Sequence, residues 1–314
     1  MALLDSPDER RMTMIKSVLQ RVYNQPLVLL FILGFAWGSA FSIARYVMSH
    51  QVSPVTYSFL SVFSPAIILL VYCYYRGYLH DLIKGDLVCY FFVGLFGIIL
   101  PNINKYWLAT HLPSGTLALI VSVTPFFIYP LALLCREEKF RFSRILAVLI
   151  GGAGMIIMAA QYGLGGLSLN HWLFCALLTP LSYAVCAVYV AKFTAKGSNI
   201  VILTTGMLIC ATLLLTPFLF TSTFSVPHLA LNGVWLAIIT EITLVLIGYI
   251  TLFKVLQLSG AVNYSLVNGI AAIIGLCWGY CFFHEYASSK IILAALCILI
   301  GVILLNQSKS YEQK

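Results

Sequence analysis

Residues 230–253 read Ala-Leu-Asn-Gly-Val-Trp-Leu-Ala-Ile-Ile-Thr-Glu-Ile-Thr-Leu-Val-Leu-Ile-Gly-Tyr-Ile-Thr-Leu-Phe, with Glu241 the lone ionisable group. A run of this length and apolarity matches the ~20 residues that a helix needs to cross a ~30 Å hydrocarbon core. Nine more runs of the same kind can be marked, at 27–48, 55–75, 86–108, 113–135, 142–160, 169–191, 199–220, 261–283 and 287–306. Inside hydrocarbon the backbone must satisfy its own polar groups, so these runs are expected as helices. The ~10-residue alternating segments of a membrane barrel do not occur. Composition agrees: 61% of the 314 residues are hydrophobic and 9% are charged, with a mean hydropathy of +0.98. Soluble domains carry about 25% charged residues, so a soluble enzyme is excluded. Ten spans also leave no room for an extramembrane domain.

The net charge of +8 points to nucleic acid only until its residues are located. They lie in loops and at span ends, where basic residues orient membrane helices. With a cytoplasmic N-terminus, one face collects Arg10, Arg11, Lys16, Arg21, Arg76, Lys84, Arg136, Lys139, Arg141, Arg144, Lys192, Lys196, Lys254, Lys309 and Lys314. The other face receives Arg45, Lys105 and Lys290. Ten spans with both termini in the cytoplasm satisfy the positive-inside rule. Nucleic acid is therefore not an expected partner; membrane lipid is.

The nine cysteines fall in or beside apolar runs without CxxC spacing, as small buried hydrophobes do. The six histidines lie in loops or at span ends, so no metal site is expected. Residues 1–26 are polar and basic and precede an apolar run, which resembles a secretory leader. No convincing cleavage site follows, so the segment is read as uncleaved. Met12, Ile15, Leu19 and Val22 recur near helical spacing, as in a short helix on the membrane surface.

Sliding the chain on itself by 147 residues brings equivalent features into register. Ile43-Ala44-Arg45-Tyr46 falls on Val190-Ala191-Lys192-Phe193, Pro101 on Gly248, Glu138 on Glu285, Leu146-Ala147 on Leu293-Ala294, and Gly154 on Gly301. An odd number of helices per repeat inserts the second copy upside down. The expected fold is thus all-α and integral to the membrane, with ten transmembrane helices in two inverted five-helix repeats. The first repeat is read as 27–162 and the second as 169–307, flanked by a cytoplasmic or interfacial segment 1–26 and a cytoplasmic tail 308–314. Inverted halves are the architecture that permits alternating access.

Several motifs resemble those of the ten-helix EamA-type permeases of the drug/metabolite transporter superfamily. They are Trp37-Gly38, Leu112-Pro113-Ser114-Gly115, and Pro125 followed by Glu138 and then Gly151-Gly152-Ala153-Gly154. In the second half, Gly260-Ala261 leads to Glu285 and Gly301 in the same order. Two departures are Ala272 where Pro125 predicts a proline, and Cys135-Arg136-Glu137-Glu138 where the family often shows Leu-Gly-Glu. The resemblance implies a transporter without naming its substrate, since the family includes exporters and importers of amino acids, metabolites and drugs.

Ionisable groups inside a membrane are costly and mark function or a neutralising partner. Glu241, ~15 Å into its span, is a candidate to bind a substrate amine or to take up a coupling proton. The alternative is a structural carboxyl bonded to a neighbouring helix. Lys105 would face a carboxylate or phosphate, or else snorkel to the outer interface. Counting residues from each span start puts it ~10 Å nearer the outer face than Glu241, a poor partner for it. Asn102, beside the helix loosened by Pro101, would either coordinate substrate or cap and glue helices, whereas Asn104 reads as glue between helices. Tyr264, Asn268, Ala271, Gly275 and Trp278 share one face of the ninth helix, as a cavity wall or as a packing seam. Trp37, Tyr183 and Tyr249 complete the candidate substrate-binding set. Arg45 and Lys192 read as interface anchors, and Glu138 and Glu285 as topology and packing markers.

No Gly-rich nucleotide loop occurs, so a secondary transporter of a small organic metabolite, in the inner (plasma) membrane, is the leading reading. The favoured substrate is an amino acid or an amphipathic metabolite or drug. The alternative is an exchanger of a phosphorylated or nucleotide-linked metabolite, which would want several converging Lys or Arg. In other classes stand an integral-membrane enzyme, which needs a nucleophile with a base or clustered His, Asp and Glu, and a channel. No enzyme activity, cofactor or metal is expected. The expected partners are substrate and lipid, and a homodimer is compatible with the composition.

Overall fold

The computed structural model describes residues 25–161, 167–193, 199–221, 233–264 and 266–310. Among these residues there is no strand. Ten apolar helices follow one another: α1 (Leu27–Ser49), α2 (Pro54–Tyr75), α3 (Leu87–Leu108), α4 (Ser114–Leu134), α5 (Phe142–Met158), α6 (His171–Phe193), α7 (Val201–Phe220), α8 (Val234–Leu252), α9 (Val267–Phe283) and α10 (Ser289–Leu305). Seven of them, all but α5, α9 and α10, are long and apolar enough to cross a membrane. The surface helix expected through Met12, Ile15, Leu19 and Val22 lies outside the described residues, as do Arg10, Arg11, Lys16, Arg21, Lys196 and Lys314.

The helices begin where the local chemistry dictates. Ser53 accepts from Thr56 N–H at 3.1 Å, with Pro54 preset for the first turn of α2. Asp86 accepts from the N–H groups of Val88 and Cys89 at the start of α3, and Asn199 accepts from Val201 N–H ahead of α7. Continuity differs from the expectation at α8, which runs on as helix to Tyr264.

A break inside α3 sets which of its side chains reach the centre of the bundle. Pro101 has no N–H to give to the preceding turn. Residues Leu95–Ile99 open into a π-turn, and Leu100 N–H reaches back five residues to the Leu95 carbonyl. One extra residue in a turn rotates everything beyond it by about 100° against an unbroken helical wheel. Asn104, Lys105 and Tyr106 are thereby carried into the bundle, where all three are buried.

The principal helix pairings recur when the halves are exchanged. α1 packs on α8 and α9, and correspondingly α6 packs on α3 and α4. α2 packs on α8 as α7 packs on α3, while α2·α7, α4·α9 and α5·α10 pair across the exchange. The α5·α10 seam carries this to single atoms. A Cβ on Gly154 would lie 2.8 Å from the Ala294 carbonyl, and one on Gly301 would lie 2.8 Å from the Ala147 carbonyl. Both pairs keep the 147-residue register.

Large apolar side chains cover the outside, among them Leu134 at 80% exposure, Phe220 at 87%, Leu236, Ile156 and Phe174. Soluble monomers rarely expose large contiguous apolar patches. Lipid is the solvent this surface fits.

Candidate functional site

Two ends of the bundle can be told apart by their charges. At one, Arg45 closes α1 and pairs with Glu285, between α9 and α10. At the other, Lys192 closes α6 and lies beside Cys135, at the end of α4. The start of α8 belongs to the Arg45 end, because Gly233 sits against the Tyr46 hydroxyl. At the end of α3, Trp107 meets Trp172 at the start of α6 edge-on, and His111, just past α3, stacks on the same ring. α3 therefore arrives at the end from which α8 departs.

Between the ends, α1, α2, α3 and α8 bring a charged and aromatic cluster together. Lys105 (8% exposed) has its ammonium 4.6 Å from the Tyr106 ring centroid and 5.6 Å from that of Phe41. Tyr106 (1% exposed) is tilted on Tyr57 (0% exposed), centroids 4.5 Å apart, with Ser61 in hydrogen-bond reach of its hydroxyl. The Tyr106 hydroxyl points at Oε1 of Glu241 across 3.5 Å. That is too long for a firm O–H···O bond. Glu241 is 1% exposed, and its Oε2, like the Tyr57 and Ser58 hydroxyls, has no hydrogen-bond partner among the described residues.

Lys105 and Glu241 lie within electrostatic range of one another without touching. Tyr183 on α6 and Tyr249 on α8 lie in range of the same carboxyl. Trp37 reaches the centre from α1, its Nε1 2.9 Å from where a Gly248 Cβ would be. Two buried groups of opposite charge within electrostatic range of one another, among tyrosines, offer a guest one site of each sign.

The structure corrects the depth count for Lys105. Helical side chains lean toward the N-terminus of their own helix. Lys105 lies three residues before the end of α3 and leans back into the bundle, and Glu241, seven residues into α8, leans up toward it. A residue count ignores both leans, which bring the two side chains nearer in depth than their backbones. Lys105 is buried and does not snorkel.

The other expected residues fall elsewhere or in supporting places. Asn104 donates to the Cys175 carbonyl and to Thr179 Oγ1, each at 2.9 Å, and so joins α3 to α6. Asn102 is half-buried one turn before Tyr106. The stripe on α9 faces neighbouring helices: Gly275 lies against Ala118 of α4, and Ala271 lies against Gly38 of α1. Trp278 donates from Nε1 to Ser39 Oγ at 2.7 Å and meets Phe35 edge-on. Asn268 is half-buried on α9, and the side chain of Tyr264 lies outside the described residues.

Tyr57, Tyr106, Phe41 and Ser61 were not singled out in the sequence. A signal was there in Thr56-Tyr57-Ser58 and Ser61, hydroxyls gathered at one end of an apolar helix and all buried in the fold. Glu285, read as a marker, proves to be a junction. Its carboxylate accepts from Arg45, from the Ser114 N–H at 2.9 Å, from the Ser114 hydroxyl at 3.2 Å and from the Gly115 N–H at 3.1 Å. It caps α4 and ties that helix to α1. Among the described residues no His, Cys, Asp and Glu gather as a metal site.

An apolar-skinned helical bundle with charge held only at its centre and its two ends defines an integral-membrane protein whose chemistry is internal. The model of the EamA-like transporter family matches residues 25–160 and 170–307, and the chain belongs to that family. The chain is similar to two proteins of Bacillus subtilis (strain 168) known as uncharacterized transporters. It is 21% identical to YvbV over 292 residues, covering 91% of this chain and 93% of that protein. To YoaV it is 23% identical over 275 residues, covering 86% and 91%. One protein of known crystal structure superposes with a TM-score of 0.63 at 16% identity, over 91% of this chain and 99% of its own, which shows a shared fold.

Proposed function

We propose that this chain is a secondary transporter that moves a small zwitterionic or amphipathic metabolite, of amino-acid size, across the inner (plasma) membrane by alternating access. In this reading all ten apolar helices span the membrane as two inverted five-helix repeats, 27–162 and 169–307, with both termini in the cytoplasm. The recurrent helix pairings and the paired matches to the family support the duplicated architecture. The charge distribution along the chain supports the orientation.

The observation that carries the substrate class is the buried Lys105–Glu241 pair, within electrostatic range but not bonded, amid Tyr57, Tyr106, Tyr183 and Tyr249. Lys105 would receive a carboxylate, Glu241 an ammonium, and the rings the apolar remainder. A phosphorylated guest would need more cations at this depth, and Arg45 is held by Glu285. Glu241 also serves as the proton-coupling group, binding a proton when the ammonium of a guest is absent.

The test is uptake of a panel of labelled amino acids and matched amines and acids into proteoliposomes, with thermal shift of the purified protein as the binding readout. A zwitterion that both stabilises the protein and is transported, while its amine-only and acid-only analogues do neither, supports the reading. Preference for a phosphorylated compound overturns it.

A further inference from the structure

The two ends of the bundle hold equivalent charged groups in different arrangements. In the 147-residue register, Arg45 corresponds to Lys192 and Glu285 to Glu138. At the Arg45 end the pair is made: Glu285 holds Arg45 and the first N–H groups of α4 together, over Gly279, with Ser42 bonded to Ser114 at 3.3 Å alongside. At the Lys192 end the cation stops short. Its ammonium donates to the Cys135 carbonyl at 3.4 Å, three residues before Glu138, whose carboxylate is bound by Arg144. Lys192 is exposed, whereas the Glu285 side chain is 13% exposed.

We propose that Glu285 and Glu138 are the two halves of a reciprocal latch: Glu285, bound to Arg45 and the start of α4, holds the Arg45 end shut as here, and Lys192 takes Glu138 from Arg144 to hold the opposite end shut when the Arg45 end opens. The inference rests on alternating access, and goes beyond it in naming the contacts exchanged. α4 is suited to link them, since Ser114 and Gly115 at its start lie in one latch and Cys135, just past its end, lies in the other. Lys192 has a long flexible stem, and Glu138 lies three residues along the chain from the Cys135 carbonyl that its ammonium now holds. Arg144, whose side chain is 1% exposed, would be left beside the Tyr129 ring, 5.5 Å from the centroid, and this buried charge is what the exchange costs and what favours the arrangement seen here. A carboxylate that changes partner between two cations gives two discrete arrangements, as a switch requires.

The full-length protein in detergent, with Ser42→Cys as reporter, tests this. Ser42 is buried one turn beneath Arg45. Its labelling rate by a charged methanethiosulfonate, less the rate of the same protein with Ser42 kept, reads opening at that end. Glu285→Gln is expected to speed labelling about fivefold or more, and Lys192→Gln, at the far end, to slow it by a similar factor. A purely local role for Lys192 leaves residue 42 unaffected, so unchanged labelling in Lys192→Gln overturns the latch. Lys192→Arg, which keeps the cation and leaves the Glu138–Arg144 pair untouched, should label at the parent rate; a rate as slow as that of Lys192→Gln overturns the pairing. No substrate is present in these measurements, so their outcome is separable from that of the uptake panel.

Discussion

Gly154 and Gly301 occupy equivalent places in one seam, each backed at 2.8 Å from its missing Cβ by the carbonyl of a residue 147 positions from the other's, Ala294 for the first and Ala147 for the second. Close approach of α5 and α10 needs a residue without a side chain at both. Here the duplication is visible as geometry, and it contrasts with Gly152, where a Cβ would meet nothing within 4 Å.

Gly154→Ala and Gly301→Ala should each destabilise the protein by about 1–3 kcal/mol, because a carbonyl on a packed helix cannot move aside. Gly152→Ala should be neutral or stabilise by up to ~1 kcal/mol through helix propensity alone. Thermal denaturation of the three variants in one detergent checks the contrast.

Neutralising Lys105 alone leaves Glu241 as an uncompensated buried charge. Lys105→Met is expected to lower stability by less than the ~3–5 kcal/mol of a broken buried ion pair, because Glu241 can take up a proton, and Lys105→Met with Glu241→Gln to regain part of the loss. Transport should be lost in both. Folded yield by size exclusion, read beside uptake, separates the structural effect from the functional one.

Glu241→Gln is expected to keep the fold, to weaken substrate binding by removing the partner of the ammonium, and to abolish the dependence of the remaining uptake on a pH gradient. The amide has the shape of the carboxyl and cannot exchange a proton as each side opens in turn. Full pH-driven uptake by this variant in proteoliposomes would remove Glu241 from coupling.

Tyr106→Phe removes a hydroxyl whose contact with Glu241, at 3.5 Å, is weak. Its stability cost should therefore stay within ~1 kcal/mol, the lower range for a hydrogen bond. Substrate affinity should fall more visibly, because the hydroxyl orients the carboxyl for its guest. A ligand titration of the variant by thermal shift measures both.

Trp278→Phe breaks the 2.7 Å bond to Ser39 in the seam between α9 and α1. Folded yield and transport should fall together, by about 1 kcal/mol of stability. If transport fell tenfold while yield stayed intact, Trp278 would belong to the cavity wall instead.

Much of the fold was legible in the chain. Ten apolar runs lie within a few residues of ten apolar helices, since length and hydropathy act along one dimension and each helix satisfies its own backbone. The largest departure, α8 continuing to Tyr264, came where no proline or charged cluster marks a stop. The 147-residue register was readable as well, because equivalent places in two like halves ask for like residues. Glu241 stood out for the same one-dimensional reason, as a lone charge in an apolar run.

What meets what around that charge was decided only in three dimensions. Lys105 and Glu241 are 136 positions apart in the chain. Their encounter depends on the rotation of α3 beyond its π-turn, on the antiparallel course of α3 and α8, and on the opposite leans this gives their side chains. Tyr57 and Tyr106 were hidden for a related reason, since an apolar run with an occasional tyrosine reads alike whether the ring faces lipid or a partner. Glu285 resembled its equivalent Glu138 in sequence, yet one holds Arg45 and the start of α4 while the other holds Arg144. Sequence sets distances along a helix at 1.5 Å per residue, whereas contact across helices turns on angles of 100° per residue, and those are settled only when the helices pack.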